Sequence, residues 1–421
     1  NKTPVRQTSL WRAILRAASQ KDLKDCHFSY TTEGMDALAP DQPALILMNH
    51  SSFTDLEIAA TVFANRQFHI VTTLDGFVGK EWLLRRIGCI PARKFITDLP
   101  LVKDMIYCFR TLHSSVLMFP EASYSFDGTA TALPESVGKS LKLFKVPVIM
   151  VTTEGAFHRD PLYNGLQKRD VTVTARVQYL LSPEQIAQMS VAELNQVLKE
   201  AFTFDHWRWQ QEHHVKVSEP FRADGLERVL YRCPICGCET KMKGRGTSLT
   251  CHHCHSTWLL AQDGTLQQQA PDETSAATVS QVSDATQVSD APQFTYVSDW
   301  YRWEREMIRK ELQDGSYRLD IPVDILIVKD TKAAYRVGSG RLIHDLNGFV
   351  LTGCDGALTY TQNAKHSYSL YADYYWYEIG DMISIGDLSC QYYCFPKDPA
   401  VNVAKVRLAT EELYRMVSAK Q

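Results

Sequence analysis

Across residues 1–222, short apolar runs alternate with segments of helical period, and this rhythm restricts the fold more than any other feature of the chain. The runs Ala44–Met48, His69–Thr73, Val116–Phe119 and Val146–Val151 have the length of buried strands, and Val171–Tyr179 follows as a later one. Leu56–Ala64 and Leu101–Leu112 lie between them with helical spacing. Continuous apolar strands separated by helices predict an α/β domain with a mainly parallel sheet flanked by helices. No run of roughly 18 apolar residues occurs, so no membrane-spanning helix is expected.

The chain has 421 residues, which predicts two or three domains. After Arg222 the character changes. Residues 223–266 are short-period and turn-rich, with Cys233-Pro234-Ile235-Cys236 and Cys251-His252-His253-Cys254 separated by 14 residues. Residues 267–293 contain no aromatic residue, Lys or Arg, and the phrase Gln281–Ala285 recurs as Gln287–Ala291. A segment of that composition has too little apolar surface to offset ordering entropy, and a flexible linker is expected. From Phe294 to Gln421, runs rich in Tyr, Ile and Val end in Pro399–Val417, which has helical spacing. A β-rich accessory domain closed by a C-terminal helix is expected there.

The two Cys-x-x-Cys knuckles predict a zinc ribbon, in which Cys233, Cys236, Cys251 and Cys254 hold a structural Zn2+ tetrahedrally. Four thiolates leave no coordination position open for catalysis, and Cys238, His252, His253 and His255 stand close enough in sequence to substitute. The total of 11 cysteines is odd and lacks a disulfide framework, which favours a reducing, cytoplasmic setting. The sequence opens at Asn1 rather than Met, which leaves room for an upstream signal or anchor. A net charge of -3 gives no global drive toward nucleic acid, so such a partner is not expected.

The sharpest chemical signal is Asn49-His50-Ser51-Ser52-Phe53-Thr54-Asp55, directly after the first apolar run. A strand ending in Asn-His places the imidazole at the carboxyl edge of the sheet, where ligands of open α/β sheets gather. Asp55 falls in the first turn of the following helix. It can accept a hydrogen bond from one ring nitrogen and leave the other free to take a proton. The plainer reading makes Ser52 a helix cap and Asp55 part of a capping box.

From His50 to Asp55 and onward the chain resembles the glycerolipid acyltransferase family, whose members form lysophosphatidate and phosphatidate. Its His-x4-Asp block matches His50–Asp55. Its second block is similar to Gly88-Cys89-Ile90-Pro91-Ala92-Arg93-Lys94. The third resembles Phe119-Pro120-Glu121-Ala122-Ser123-Tyr124-Ser125, and the fourth Val146-Pro147-Val148-Ile149. The resemblance covers roughly Pro43 to Val151. It implies direct attack by an acceptor hydroxyl, deprotonated by His50, on an acyl thioester of coenzyme A or an acyl carrier protein. It also implies acceptor contacts from Arg93, Lys94, Glu121 and Ser123, with a lysophospholipid or glycerol-phosphate-type acceptor. This chain departs from the family at Tyr124, where an Arg is usual, at Ala122, where Gly is usual, and in carrying Arg93-Lys94. A guanidinium grips phosphate bidentately and an ammonium only as a point charge, so a different acceptor remains open. The rival expectation is a lipid-binding module without turnover that recruits a protein partner through the ribbon and C-terminal domain.

Weaker signals complete the reading. Lys80, Arg85 and Arg86 are expected on a solvated helix face, His69 and His113 in structural roles, and Cys89 as an inert thiol. In residues 9–18, Leu10, Trp11, Ile14, Leu15 and Ala18 share one helical face opposite Arg12 and Arg16, with Ser9 as N-cap. Such a helix either packs on its own domain or lies in the cytoplasmic face of a membrane. Trp300, Trp303 and Tyr374–Tyr377 are expected as core or sheet-face aromatics before any ligand role. Cys390 and Cys394 lack a second pair to complete a metal site.

Overall fold

The computed structural model describes residues 3–270 and 291–419. The first segment holds a seven-stranded sheet of β1 (Ser29–Glu33), β2 (Leu45–Met48), β3 (Phe68–Thr73), β4 (Cys89–Ala92), β5 (Ser115–Met118), β6 (Val148–Glu154) and β7 (Thr174–Leu181). Their order is β1-β7-β6-β2-β5-β3-β4. The pairs of β2 with β5 and β6, and of β3 with β4 and β5, are parallel. Antiparallel pairing enters only between β6 and β7.

The apolar run of β2 is continuous because both of its faces are covered. Ile46 and Met48 join the core beneath α1 (Ser9–Asp25) and α2 (Asp55–Val62), while Leu45 and Leu47 join the opposite core. That opposite core holds Met105 of α4 (Leu99–Arg110), which follows α3 (Glu81–Arg86), and Leu141 of α5 (Ser136–Phe144). A central parallel strand buried on both sides has no need of polar alternation. Four further helices finish the segment: α6 (Ala156–Arg159), α7 (Pro183–Gln188), α8 (Val191–Ala201) and α9 (His206–Glu212).

The ribbon is a four-stranded antiparallel sheet of β8 (Met242–Arg245), β9 (Ser248–Cys251), β10 (Thr257–Leu260) and β11 (Leu266–Gln268). Strand β11 runs two residues into the stretch expected as linker, and residues 271–290 of that linker lie outside the described residues. The C-terminal part opens with α10 (Val297–Asp314), a helix that the strand-like reading of this region overlooked. Its buried Val297, Trp300, Tyr301, Glu304, Ile308 and Leu312 repeat with helical period.

Seven antiparallel strands follow: β12 (Leu319–Val328), β13 (Ala334–Asp345), β14 (Gly348–Gly353), β15 (Leu358–Asn363), β16 (Tyr371–Trp376), β17 (Gly380–Gly386) and β18 (Gln391–Pro396). They are closed by α11 (Val403–Ser418). One core joins all three parts, from Phe126 and Trp207 through Trp258 of the ribbon to Trp300 and Ile383. Trp300 and Tyr374 are core residues, as expected, whereas Tyr375 and Tyr377 are exposed.

Helix α1 is capped by Thr8, whose Oγ1 accepts from the Trp11 amide, so Ser9 is the first helical residue rather than the cap. The expected apolar face is divided. Trp11 and Leu15 pack on the core, while Leu10 and Ile14 stay exposed; Trp82, also exposed, meets the Trp11 ring edge-on at 6.1 Å. No described helix is long and apolar enough to cross a membrane.

Candidate active site

The chain leaves β2 at Met48 and starts α2 at Asp55, which brings the two predicted residues together. His50 Nδ1 lies 3.0 Å from Asp55 Oδ2. The same carboxylate oxygen accepts the backbone amides of Ser51 and Ser52, at 2.8 and 3.1 Å. Asp55 therefore holds the imidazole and closes the helix start at once. The Ser52 half of the capping box does not form, because Ser52 Oγ instead accepts from the Thr54 amide at 3.0 Å. Asn49 anchors the turn to β6 by accepting the Thr153 amide at 2.8 Å and donating to the Thr153 carbonyl at 3.2 Å. Behind the turn, Ser51 Oγ meets His206 Nε2 at 3.1 Å, and burial pushes that imidazole down to about 3.

The third block clamps the backbone of His50 from both sides. Glu121 Oε2 accepts the His50 amide at 3.1 Å, and the Ser125 amide donates to the His50 carbonyl at 2.9 Å. Glu121 Oε1 takes the amide and hydroxyl of Thr131, at 2.8 and 3.0 Å, and burial raises its carboxyl to about 7. The imidazole sits between Phe119 and Tyr124, with ring centroids at 4.1 and 3.9 Å. Burial lowers the pKa of His50, which favours the neutral ring, and the hydrogen bond from the ring to Asp55 opposes that shift. Ala122 lies in the left-handed region at φ 57°, where a glycine carries no penalty.

His50, Arg93 and Lys94 line an open cavity of about 2680 Å3, and Asp55 does not, which leaves His50 Nε2 as the nitrogen presented to the cavity. Arg93 is tied to Asp98 by its amide at 3.0 Å and its guanidinium at 3.5 Å. The Lys94 ammonium stands 3.7 Å from the centre of the Tyr371 ring. Burial lowers its pKa to about 8 against the opposing pull of Asp75 and Asp373. Glu121 and Ser123, expected as acceptor contacts, are buried behind the cavity wall, where Ser123 Oγ donates to the Tyr124 carbonyl at 3.4 Å. Burial pushes the Cys89 thiol up to about 11, in keeping with an inert side chain. Arg85 pairs with Glu81 at 2.8 Å and Arg86 lies over the Trp82 ring, both away from the cavity.

The opposite wall comes from the C-terminal part. Tyr371, Asp373 and Trp376 of β16, with Tyr377 beyond it, line the same cavity. Asp75, in the turn after β3, docks this wall by accepting Trp376 Nε1 at 2.9 Å and the Tyr371 hydroxyl at 3.5 Å. Trp376 and Tyr377 belong to the aromatic run Tyr374–Tyr377 seen in the sequence, but no local motif marks Tyr371, Asp373 or Asp75. The partners are about 300 positions apart, and only the packed core brings them together.

In the ribbon, the Sγ atoms of Cys233, Cys236, Cys251 and Cys254 all lie within 4.8 Å of one another, with contacts of 3.6 and 3.7 Å. Tetrahedral thiolates about 2.3 Å from a metal ion stand about 3.8 Å apart, so the donor set fits one. Cys238, His252, His253 and His255 are outside that group. Left-handed residues Gly237 and His255 turn the chain just after each knuckle.

Residues 29–154 match the family model described as Acyltransferase, a span that contains His50, Asp55, Lys94 and Glu121. No curated protein matches the chain. Among solved structures, the 1-acyl-sn-glycerophosphate acyltransferase PlsC from Thermotoga maritima is similar at 17% identity and a TM-score of 0.39, over 49% of this chain and 81% of that one. By the family match, residues 29–154 of this chain form an acyltransferase-family domain.

Proposed function

We propose that this chain transfers a fatty acyl group from an acyl thioester to the hydroxyl of a lysophospholipid or glycerol-phosphate-type acceptor. The observation that carries the proposal is the 3.0 Å His50–Asp55 pair, with its free ring nitrogen on the cavity, inside an acyltransferase-family domain. His50 Nε2 takes the proton of the acceptor hydroxyl as its oxygen attacks the thioester carbonyl carbon. Asp55 stabilises the imidazolium that forms. The tetrahedral intermediate collapses with cleavage of the carbon–sulfur bond, and the departing thiolate receives the proton from His50. Lys94, an ammonium without an ion-pair partner among the described residues, is the phosphate anchor, and Arg93 lines the cavity beside it. The donor is coenzyme A-bound or carrier-bound.

The ribbon cysteines would hold a structural zinc ion. Leu10, Ile14 and Trp82 would rest on the cytoplasmic face of a membrane. The test is thioester consumption by the full chain with long-chain acyl-coenzyme A and a panel of lysophospholipids, repeated with acyl carrier protein, with His50→Ala alongside. Acceptor-dependent turnover lost in the variant is expected. Lipid binding without turnover on either donor would replace this proposal with a non-catalytic lipid-binding role.

A further inference from the structure

The acyl-transfer step uses His50, Asp55 and Lys94 and gives no task to Asp75 and Asp373, the two carboxylates whose charge acts on Lys94 in the same cavity. Asp75 is 5% exposed and lines the cavity. Its Oδ2 docks Trp376 and Tyr371, yet its Oδ1 is buried without a hydrogen-bond partner among the described residues. Docking thus explains one oxygen of Asp75 and leaves the other unexplained. Among the described residues, Asp373 docks nothing and has only the Tyr374 amide hydrogen-bonded to its carboxylate, and it also lines the cavity. Burial raises its pKa to about 6, and Lys94 opposes the shift. Among the described residues, Lys94 forms an ion pair with neither carboxylate.

This corner of the cavity therefore holds one ammonium and two carboxylates, and its walls are aromatic. Tyr371 and Trp376 are buried there, and Tyr377 reaches across the cavity to bring its hydroxyl within 3.9 Å of where a Cβ on Gly76 would stand. A buried carboxylate lacking partners is costly, and a cation placed beside it relieves that cost. Tyr and Trp faces add their own attraction for a cation. A bare phosphate monoester would bring up to two negative charges to Lys94 with two carboxylates as neighbours.

We propose that Asp75, Asp373 and the aromatic wall of β16 form a subsite for a cationic amino group on the acceptor headgroup. The preferred acceptor is then a zwitterionic lysophospholipid, with its phosphate on Lys94 and its ammonium between Asp373 and Asp75. This subsite rests on Lys94 as the phosphate anchor but does not depend on turnover.

The test is calorimetric titration of the full-length His50→Ala chain with short-chain lysolipids below their micellar concentrations. The headgroups compared are phosphoethanolamine, phosphoglycerol and a phosphate monoester, on the same chain with and without Asp373→Asn. Phosphoethanolamine is expected to bind about tenfold more tightly than phosphoglycerol, with the ratio falling below about threefold in the double variant. Asp373→Glu, which keeps the charge, is expected to restore part of the ratio. Equal or tighter binding of phosphoglycerol or the monoester overturns the subsite, as does a ratio untouched by Asp373→Asn, and as does no binding of any headgroup. Because His50→Ala cannot turn over, a failed thioester assay on the native chain would sink acyl transfer and leave this result to stand or fall separately.

Discussion

Asp55→Asn separates the two jobs that one carboxylate performs. Asp55 Oδ2 faces three donors: the His50 ring nitrogen and the amides of Ser51 and Ser52. Oδ1 is buried without a hydrogen-bond partner among the described residues. An asparagine can satisfy that geometry in one orientation only, with its carbonyl oxygen at the Oδ2 position. The helix start and the orientation of the imidazole survive, and what disappears is the negative charge. With charge centres about 4 Å apart and an effective dielectric near 20, the stabilisation lost by the imidazolium is about 4 kcal/mol. That corresponds to a loss of about 10^3-fold in kcat/KM. Asp55 also supports the protonated form of His50 against burial, so its removal lowers the His50 pKa further. The acid limb of kcat/KM should therefore move to lower pH as the plateau falls. The assay is the full pH profile of thioester consumption for both proteins, with thermal unfolding as the control for structure. A loss under tenfold, or an acid limb that moves upward, would refute the assignment and leave Asp55 as a helix-start residue worth about 1 kcal/mol.

Other expectations are simpler. Ala122→Gly should stabilise the fold by about 0.5–1 kcal/mol, since left-handed backbone costs an L residue about 1–2 kcal/mol and glycine returns part of that in chain entropy. A lowered unfolding midpoint would contradict it. Burial raises Glu57, Glu121 and Asp160 each to about 7, above the value near 4 of an unfolded carboxyl. The folded chain then binds more protons across that interval, so stability present below about pH 4 is lost as pH rises through 7. Against burial, Arg305 and Arg407 hold Glu411 down to about 2, and its contribution is lost only in acid. The imidazoles of His158, His206 and His344, which burial holds down to about 3, pull the other way below about pH 6.5, so the test is by difference: Glu57→Gln should flatten the fall in unfolding midpoint between pH 5.5 and pH 8, and an unchanged slope would refute the assignment. Cys254→Ser should abolish binding of about one zinc ion per chain and lower the midpoint, read by metal analysis and thermal unfolding; full retention of zinc would exclude the ligand set. Replacing exposed Leu10, Ile14 and Trp82 with Ser should reduce flotation with anionic liposomes, and unchanged flotation would remove the membrane contact.

The contact between His50 and Asp55 was legible because it is local. A strand end, five residues and a helix start suffice to bring His50 and Asp55 together, and all three follow from patterning. Strand β2 was equally plain, since burial on both faces leaves a run without polar interruptions. Glu121 and Ser123 were placed at the acceptor by their motif, yet the tight turn at Ala122 carries both behind the cavity wall. There Glu121 braces the His50 amide instead. Helix α10 was hidden by its aromatic content, although its buried positions keep a helical period. Trp376 and Tyr377 stood out only as part of the aromatic run Tyr374–Tyr377, and Asp75 and Asp373 carried no signal at all, because their relation is one of tertiary packing between distant stretches of chain.

That distance also has a consequence in time. The clamp around His50 is complete once Thr131 has been made, but Tyr371 follows 240 residues later. At roughly 5–20 residues per second, a ribosome needs about 12–48 s to cover that stretch. For that interval the growing chain displays Phe119, Tyr124 and the mouth of the cavity with no opposing wall. The acyltransferase-family domain is thus born with its pocket open, and the wall of β16 arrives only much later to face it.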